Sequence, residues 1–240
     1  MKMLNNFLYQ LTLGVAFTAA LIEDSLAGSK DDPVLAMTLI ERLEYRDGDD
    51  QDPLFLEGQG WIGQDLRKFW YKVEAETVDG ETQEAELQAL YSQAVAPNWD
   101  LQFGLRKDFQ PTPSRNWAVI GFQGLAPYYF EVDTALFIGE SGRTALRLGA
   151  EYELLFTQRL ILTPKIEVNI YGQNDPDIGV GSGLSDLEAG LRLRYEIRRE
   201  IAPYIGVNWN KSFGNTADFA RQAGEDTDDF QWVIGVRAWF

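Results

Sequence analysis

The 240-residue chain has no cysteine, no histidine and only three methionines. Without histidine, a Ser-His-Asp hydrolytic triad cannot be assembled. Without cysteine there is no disulfide and no thiolate, which suits a bacterial protein exported through an oxidising periplasm. Past the N-terminus no apolar run is long enough for a membrane-spanning helix, and the mean hydropathy is -0.25. A helical membrane protein is thereby excluded, but a β-barrel is not, because its strands need only about ten residues and half of them can be polar. Acidic residues outnumber basic ones 37 to 21, for a net charge of -16, which argues against a nucleic-acid partner. Gly179-Val180-Gly181-Ser182-Gly183 lacks the Lys-Ser/Thr and the helix start of a phosphate loop and is expected to be a flexible extracellular loop. No open substrate cleft accompanies the carboxylate pairs, so no enzymatic activity and no cofactor motif are expected.

What is present is alternation. Backwards from Phe240, every second residue is apolar or small: Ala238, Val236, Ile234, Trp232 and Phe230. Trp239, Arg237, Gly235, Val233 and Gln231 fall between them, as side chains facing a wet barrel interior would. At the other end, Lys2, an apolar region from Phe7 to Ile22, and Ser25-Leu26-Ala27 predict a signal peptide over 1–27. A short periplasmic segment, 28–33, and a barrel over 34–240 would follow.

Strand-sized blocks bounded by Gly, Pro, Asn or Asp cover 34–45, 54–64, 68–77, 85–96, 98–109, 117–126, 128–138, 143–156, 159–171, 185–198, 201–211 and 229–240. Their even number and the absence of a helical period predict an all-β fold, a transmembrane antiparallel up-and-down β-barrel of about twelve strands. Connections alternate between longer polar segments (46–53, 78–84, 110–116, 139–142, 172–184, 212–228) and tight turns, as loops and periplasmic turns of such a barrel do. In the tenth block Leu187, Ala189, Leu191, Leu193, Tyr195 and Ile197 oppose Asp186, Glu188, Gly190, Arg192, Arg194 and Glu196. Alternation alone does not say which face is inside, and a soluble periplasmic barrel would bury the leucines. Loop parity, the terminal aromatic and the signal peptide favour leucines toward lipid. Aromatics near strand ends, including Tyr45, Trp99, Phe109, Tyr128, Phe156, Tyr195 and Trp209, fit interfacial girdles.

The runs Gly121-Phe122-Gln123-Gly124-Leu125-Ala126-Pro127-Tyr128-Tyr129-Phe130-Glu131, Ala150-Glu151-Tyr152-Glu153-Leu154-Leu155-Phe156 and Gly181-Ser182-Gly183-Leu184-Ser185-Asp186-Leu187-Glu188 resemble the copper resistance protein B family. Arg199-Glu200-Ile201-Ala202-Pro203-Tyr204 and the earlier Arg42-Leu43-Glu44 extend the resemblance over about 34–240. It implies a barrel of the cell outer membrane, in contact with lipid and lipopolysaccharide, that serves copper homeostasis by binding, sequestering or passing copper. It also implies a periplasmic copper oxidase as partner. Family members commonly carry a Met- and His-rich segment before the barrel; here Gly28 to Pro33 holds neither residue. Cu(I) prefers thioether, thiolate and imidazole, and after signal removal only Met37 remains.

Oxygen ligands are what is left. Glu131, Asp133, Glu151, Glu153, Glu167, Asp186 and Glu188 are the candidate metal ligands, as carboxylates expected to point into the lumen. Two expectations stand side by side. In one, these groups pair with Arg42, Lys72, Arg106, Arg147, Lys165, Arg192, Arg194 and Arg237 in cross-strand ladders that fill the lumen. In the other, surplus carboxylates make a weak site or path for hard or borderline divalent cations. A small cation-permeable or purely structural barrel without copper handling is the alternative function.

Overall fold

The computed structural model describes residues 32–48 and 52–240; the expected signal peptide and most of the segment 28–33 lie outside the described residues. The strands are β1 (Leu35–Asp47), β2 (Leu54–Gln64), β3 (Arg67–Val78), β4 (Glu81–Ala96), β5 (Trp99–Gln110) and β6 (Arg115–Ala126). They continue as β7 (Phe130–Gly139), β8 (Thr144–Glu151, resuming at Leu154–Leu155), β9 (Leu160–Tyr171), β10 (Gly183–Tyr195), β11 (Ile201–Ser212) and β12 (Asp228–Trp239). Each pairs antiparallel with the next, and β12 returns to β1 with Leu39 opposite Trp239 and Tyr45 opposite Ile234. The sheet is therefore a closed twelve-stranded barrel without a free edge.

The period-two alternation resolves as the sequence predicts for a membrane barrel. Leu105, Trp232 and Ile205 on the outer wall are 68%, 65% and 61% exposed, whereas Glu44 and Arg46 inside are each 1% exposed. Water would select the reverse; an apolar outer belt around a charged interior is the arrangement lipid selects. The start of β1, the end of β12 and the connections β2–β3, β4–β5, β6–β7, β8–β9 and β10–β11 share one end of the barrel, as at the periplasm-facing end of this architecture. There Pro97 and Asn98 (φ 64°) turn the chain between β4 and β5.

Two connections differ from the sequence expectation. The predicted loop 78–84 is a two-residue hairpin, because Asp79 and Gly80 both take positive φ (51° and 83°), the primed turn whose twist matches its strands. Strands β3 and β4 therefore run on through it, with Val78 opposite Glu81. The last loop contains a helix, α1 (Gly214–Ala223), closed by Gly224 at φ 84°. It docks on the preceding loop, where the Gly181 amide donates to Thr216 Oγ1 at 2.8 Å and Ser185 Oγ lies 2.9 Å from the same hydroxyl. That loop is pinned in turn by Asp175, which accepts from Arg115 Nε and Nη2 at 2.9 Å each and faces Arg143 Nε at 2.9 Å.

A β-bulge in β1 matters for the interior. Ile40 pairs with Gly58 but Arg42 with Glu57, so Glu41 is an extra residue on its strand. Such a bulge re-aims a side chain, and it brings Glu41 as well as Arg42 to the lumen wall.

Candidate functional site

The lumen holds a cavity of about 290 Å³. Eight carboxylates line it (Glu41, Glu57, Glu74, Glu86, Glu131, Asp133, Glu151, Glu167) against the three cations Lys72, Arg147 and Lys165. The register makes the acidity sharper. Glu57 stands opposite Glu74, Glu74 opposite Glu86, and Glu86 opposite Asp108, four carboxylates in one row across β2 to β5. Like charges directly opposite on a sheet repel, so the row needs cations from elsewhere.

They come mainly from across the barrel. Arg147 of β8 reaches Glu86 of β4 at 3.0 Å, Glu74 of β3 at 3.5 Å and Glu167 of neighbouring β9 at 3.3 Å. Lys165 of β9 reaches Glu57 of β2 at 2.8 Å, and Lys72 of β3 pairs with Asp133 of β7. Arg106 completes the row, holding Glu86 at 2.9 Å and Asp108 at 2.6 Å. Beside the cavity, Arg192 Nε and Nη2 donate to Glu44 at 2.8 and 2.6 Å, and Tyr204 donates its hydroxyl to the same carboxylate at 2.9 Å. The guanidinium groups of Arg42 and Arg46 lie over the Phe55 ring at 4.6 and 4.0 Å. Ion pairing in the lumen is thus extensive, but much of it spans the interior between strands that are not neighbours. That geometry differs from cross-strand ladders and braces the barrel through its centre.

Of the seven carboxylates singled out from the sequence, Glu131, Asp133, Glu151 and Glu167 share the cavity. The other three lie apart from it: Glu153 pairs with Arg194, Glu188 with Arg42 and Arg46, and Asp186 accepts from Asn169 Nδ2 at 2.9 Å. Glu41, Glu57, Glu74 and Glu86 join the site unforeseen. Glu131 and Glu151 face each other across β7 and β8, and no cation of the described residues forms an ion pair with either.

The donor chemistry is all oxygen. Among the described residues no group of three or more His, Cys, Asp or Glu is disposed to cage a metal ion, and Met37 is the only thioether. The residues present do not fit a resident Cu(I) centre. They fit weak electrostatic attraction of a hard or borderline divalent cation.

Closed strands, an apolar outer belt and a charged lumen define an outer-membrane β-barrel. The NanC porin shares this fold (TM-score 0.57, 14% identity, covering 84% of this chain and 98% of that one), as does the KdgM porin (TM-score 0.51, 11% identity, covering 85% and 98%). The chain belongs to the copper resistance protein B family, whose precursor profile matches residues 34–240. It is 48% identical over 210 residues to copper resistance protein B of Escherichia coli, and 46% identical to the homolog of Pseudomonas syringae pv. tomato. Each alignment covers 88% of this chain and 71% of the relative.

Proposed function

We propose that this barrel handles copper as cargo, attracting Cu(II) to the acidic cavity for sequestration or passage, in a non-enzymatic copper-resistance role at the outer membrane. The observation that carries this is that eight carboxylates line one cavity against three cations, with Glu131 and Glu151 opposed and neither within ion-pair distance of a cation among the described residues. A surplus of one sign inside low-dielectric walls concentrates the opposite ion even without a rigid ligand cage. Cu(I) is not the expected cargo, since the soft donors are absent. A periplasmic copper oxidase that consumes or supplies the ion is the partner we infer, on family grounds alone. Outer-membrane lipid and lipopolysaccharide would surround the outer belt.

The test is titration of the detergent-folded barrel with Cu(II), using Zn(II) and Ca(II) as controls, beside a variant carrying Glu131→Gln and Glu151→Gln. Saturable copper binding that the variant loses supports the reading. Binding no stronger than that of the controls would sink it and leave the alternative, a cation-permeable or structural barrel. One observation favours that alternative: Lys72, Arg147 and Lys165 tie non-neighbouring strands together across the lumen, as braces would.

A further inference from the structure

The outer wall is not smooth. An open groove of about 510 Å³ lies across β4 to β7. Its floor follows from the register: Ala89, Leu105, Ala118 and Ile138 stand opposite one another in a single row across these four strands. Small and large side chains alternate along the row, so the two alanines leave a furrow on either side of Leu105. A furrow between alkyl side chains suits a lipid acyl chain, which gains dispersion contacts there that a flat wall would not give.

The strand ends nearest the groove are those opposite the periplasmic turns: Lys107 is three residues from the end of β5, and Asn116 is the second residue of β6. Lys107 stands between Leu87 and Asn116, one row nearer those ends than Leu105. Its Nζ lies 5.2 Å from the centre of the Phe109 ring, the next outward side chain toward the strand end, so the ammonium reaches toward the membrane surface. No carboxylate of the described residues lies within ion-pair distance of it. The one carboxylate lining the groove, Glu140, accepts from Asn116 Nδ2 at 2.8 Å. Arg106, also at the groove, directs its guanidinium to Glu86 and Asp108. Lys211 makes a contrast: it too lies beside an aromatic ring, Trp209 at 5.8 Å, but it has Asp228 at 3.6 Å.

We propose that this groove binds a phosphorylated lipid of the outer leaflet, the lipid A part of lipopolysaccharide, with Lys107 on a phosphate and an acyl chain laid over Ala89 and Ala118. Two observations select this occupant. The wall faces lipid, so what fills the furrows is apolar along its length. The cation without a carboxylate sits at the end of the groove where a headgroup would lie. A lysine ammonium meets phosphate as a compact point charge, and apolar burial and charge attraction act together in holding a lipid at the interface. Glu140 opposes the phosphate, so its removal should strengthen the contact. Nothing in this site depends on what the lumen carries.

The test is native mass spectrometry of the detergent-folded barrel with added diphosphoryl lipid A, and with lipid A stripped of both phosphates as the control. The parent is expected to retain one diphosphoryl lipid A per barrel and to hold the stripped form several-fold more weakly. Lys107→Gln should reduce the first to the level of the second. Ala118→Leu, which fills a furrow, should lower both, Glu140→Gln should raise the diphosphoryl form, and Lys211→Gln should match the parent. Heat-resistant migration in gels verifies that each variant is folded. If folded Lys107→Gln and Ala118→Leu bind diphosphoryl lipid A as the parent does, the site is overturned. An equal loss in Lys211→Gln would mark attraction to any outward lysine and overturn it too. A barrel dimer that either groove variant dissolves would make a second copy of this chain the occupant in place of the lipid.

Discussion

Glu131 of β7 and Glu151 of β8 stand directly opposite each other in the ladder, and no cation among the described residues pairs with either. In a sheet under selection for stability alone, such a pair would carry at least one lysine or arginine. Replacing both with glutamine is expected to stabilise the barrel by up to about 1 kcal/mol, by relieving like-charge repulsion. Urea unfolding in lipid vesicles measures it. A variant that gains stability while losing copper binding would mark a functional pair held at a stability cost. A variant that loses stability would show that the two carboxylates already share a stabilising proton or partner.

Arg147 has the opposite character. Its guanidinium serves Glu74, Glu86 and Glu167 at once and lies 5.6 Å from the centre of the Phe137 ring. Arg147→Ala strands three carboxylates around one cavity and is expected to cost about 2 kcal/mol, the scale of a lost hydrogen bond to a charged group. The full penalty of a dry buried ion pair does not apply, because the side chain keeps 18% of its exposure. Arg147→Lys keeps the charge but not the forked geometry and should recover about half of the loss. Equal stability of parent and Arg147→Ala in the same urea assay would show that the brace across the barrel carries no net stabilisation.

Much of the fold was legible because a barrel strand has one simple period and its two faces meet opposite solvents. Leu191 and Arg192 are neighbours in sequence yet 41% and 6% exposed, as alternation required. The Asp79-Gly80 turn was missed: the dipeptide suits positive φ, but its acidic surroundings gave 78–84 the look of a loop. The site was only half legible. Alternation tells which side chains enter the lumen but not which strands meet across it, so the bonds of Arg147 to Glu74 and Glu86, 73 and 61 residues away, lay beyond local pattern. Glu57, Glu74 and Glu86 sit on the inner face, yet Gly58, Ala75 and Ala85 weaken the outward apolar signal that identified β10. Glu41 was hidden for a different reason, since a bulge breaks the period on which the reading depends.

Leu105 tests which way the barrel is turned. It lies near the middle of β5 and is 68% exposed on the outer wall. At the midplane of a bilayer, Leu105→Arg is expected to cost about 2–4 kcal/mol in vesicle unfolding, whereas Leu105→Ala should cost far less. A soluble barrel presenting this wall to water would tolerate arginine there without measurable loss. The comparison is clean because Leu105 is far from the charged lumen in chemistry although its neighbour Arg106 is part of it.

Asp175 should make the outer loops sensitive to acid. Hydrogen bonds from Arg115 hold its carboxyl below the usual carboxylate range, against a burial that works in the other direction. A carboxyl with a depressed folded-state pKa contributes stability that is fully present above the ordinary value of about 3.9 and is lost as the pH falls below it. The segment 172–182 should therefore stay anchored at neutral pH, and begin to loosen only below about pH 4, when Asp175 takes a proton and releases Arg115 and Arg143. Because α1 docks on this segment through Thr216, its amides should follow. Hydrogen exchange of residues 172–182 and 214–223, read from pH 7 downward, measures the effect. Asp175→Asn is the control for effects of acid elsewhere in the molecule. That variant should exchange rapidly in both segments already at neutral pH and show no further change attributable to the loop as acid is added. Slow exchange in Asp175→Asn at pH 7 would mean that the backbone bonds between Asp175 and Val180, at 2.8 and 3.1 Å, anchor the loop without the ion pair.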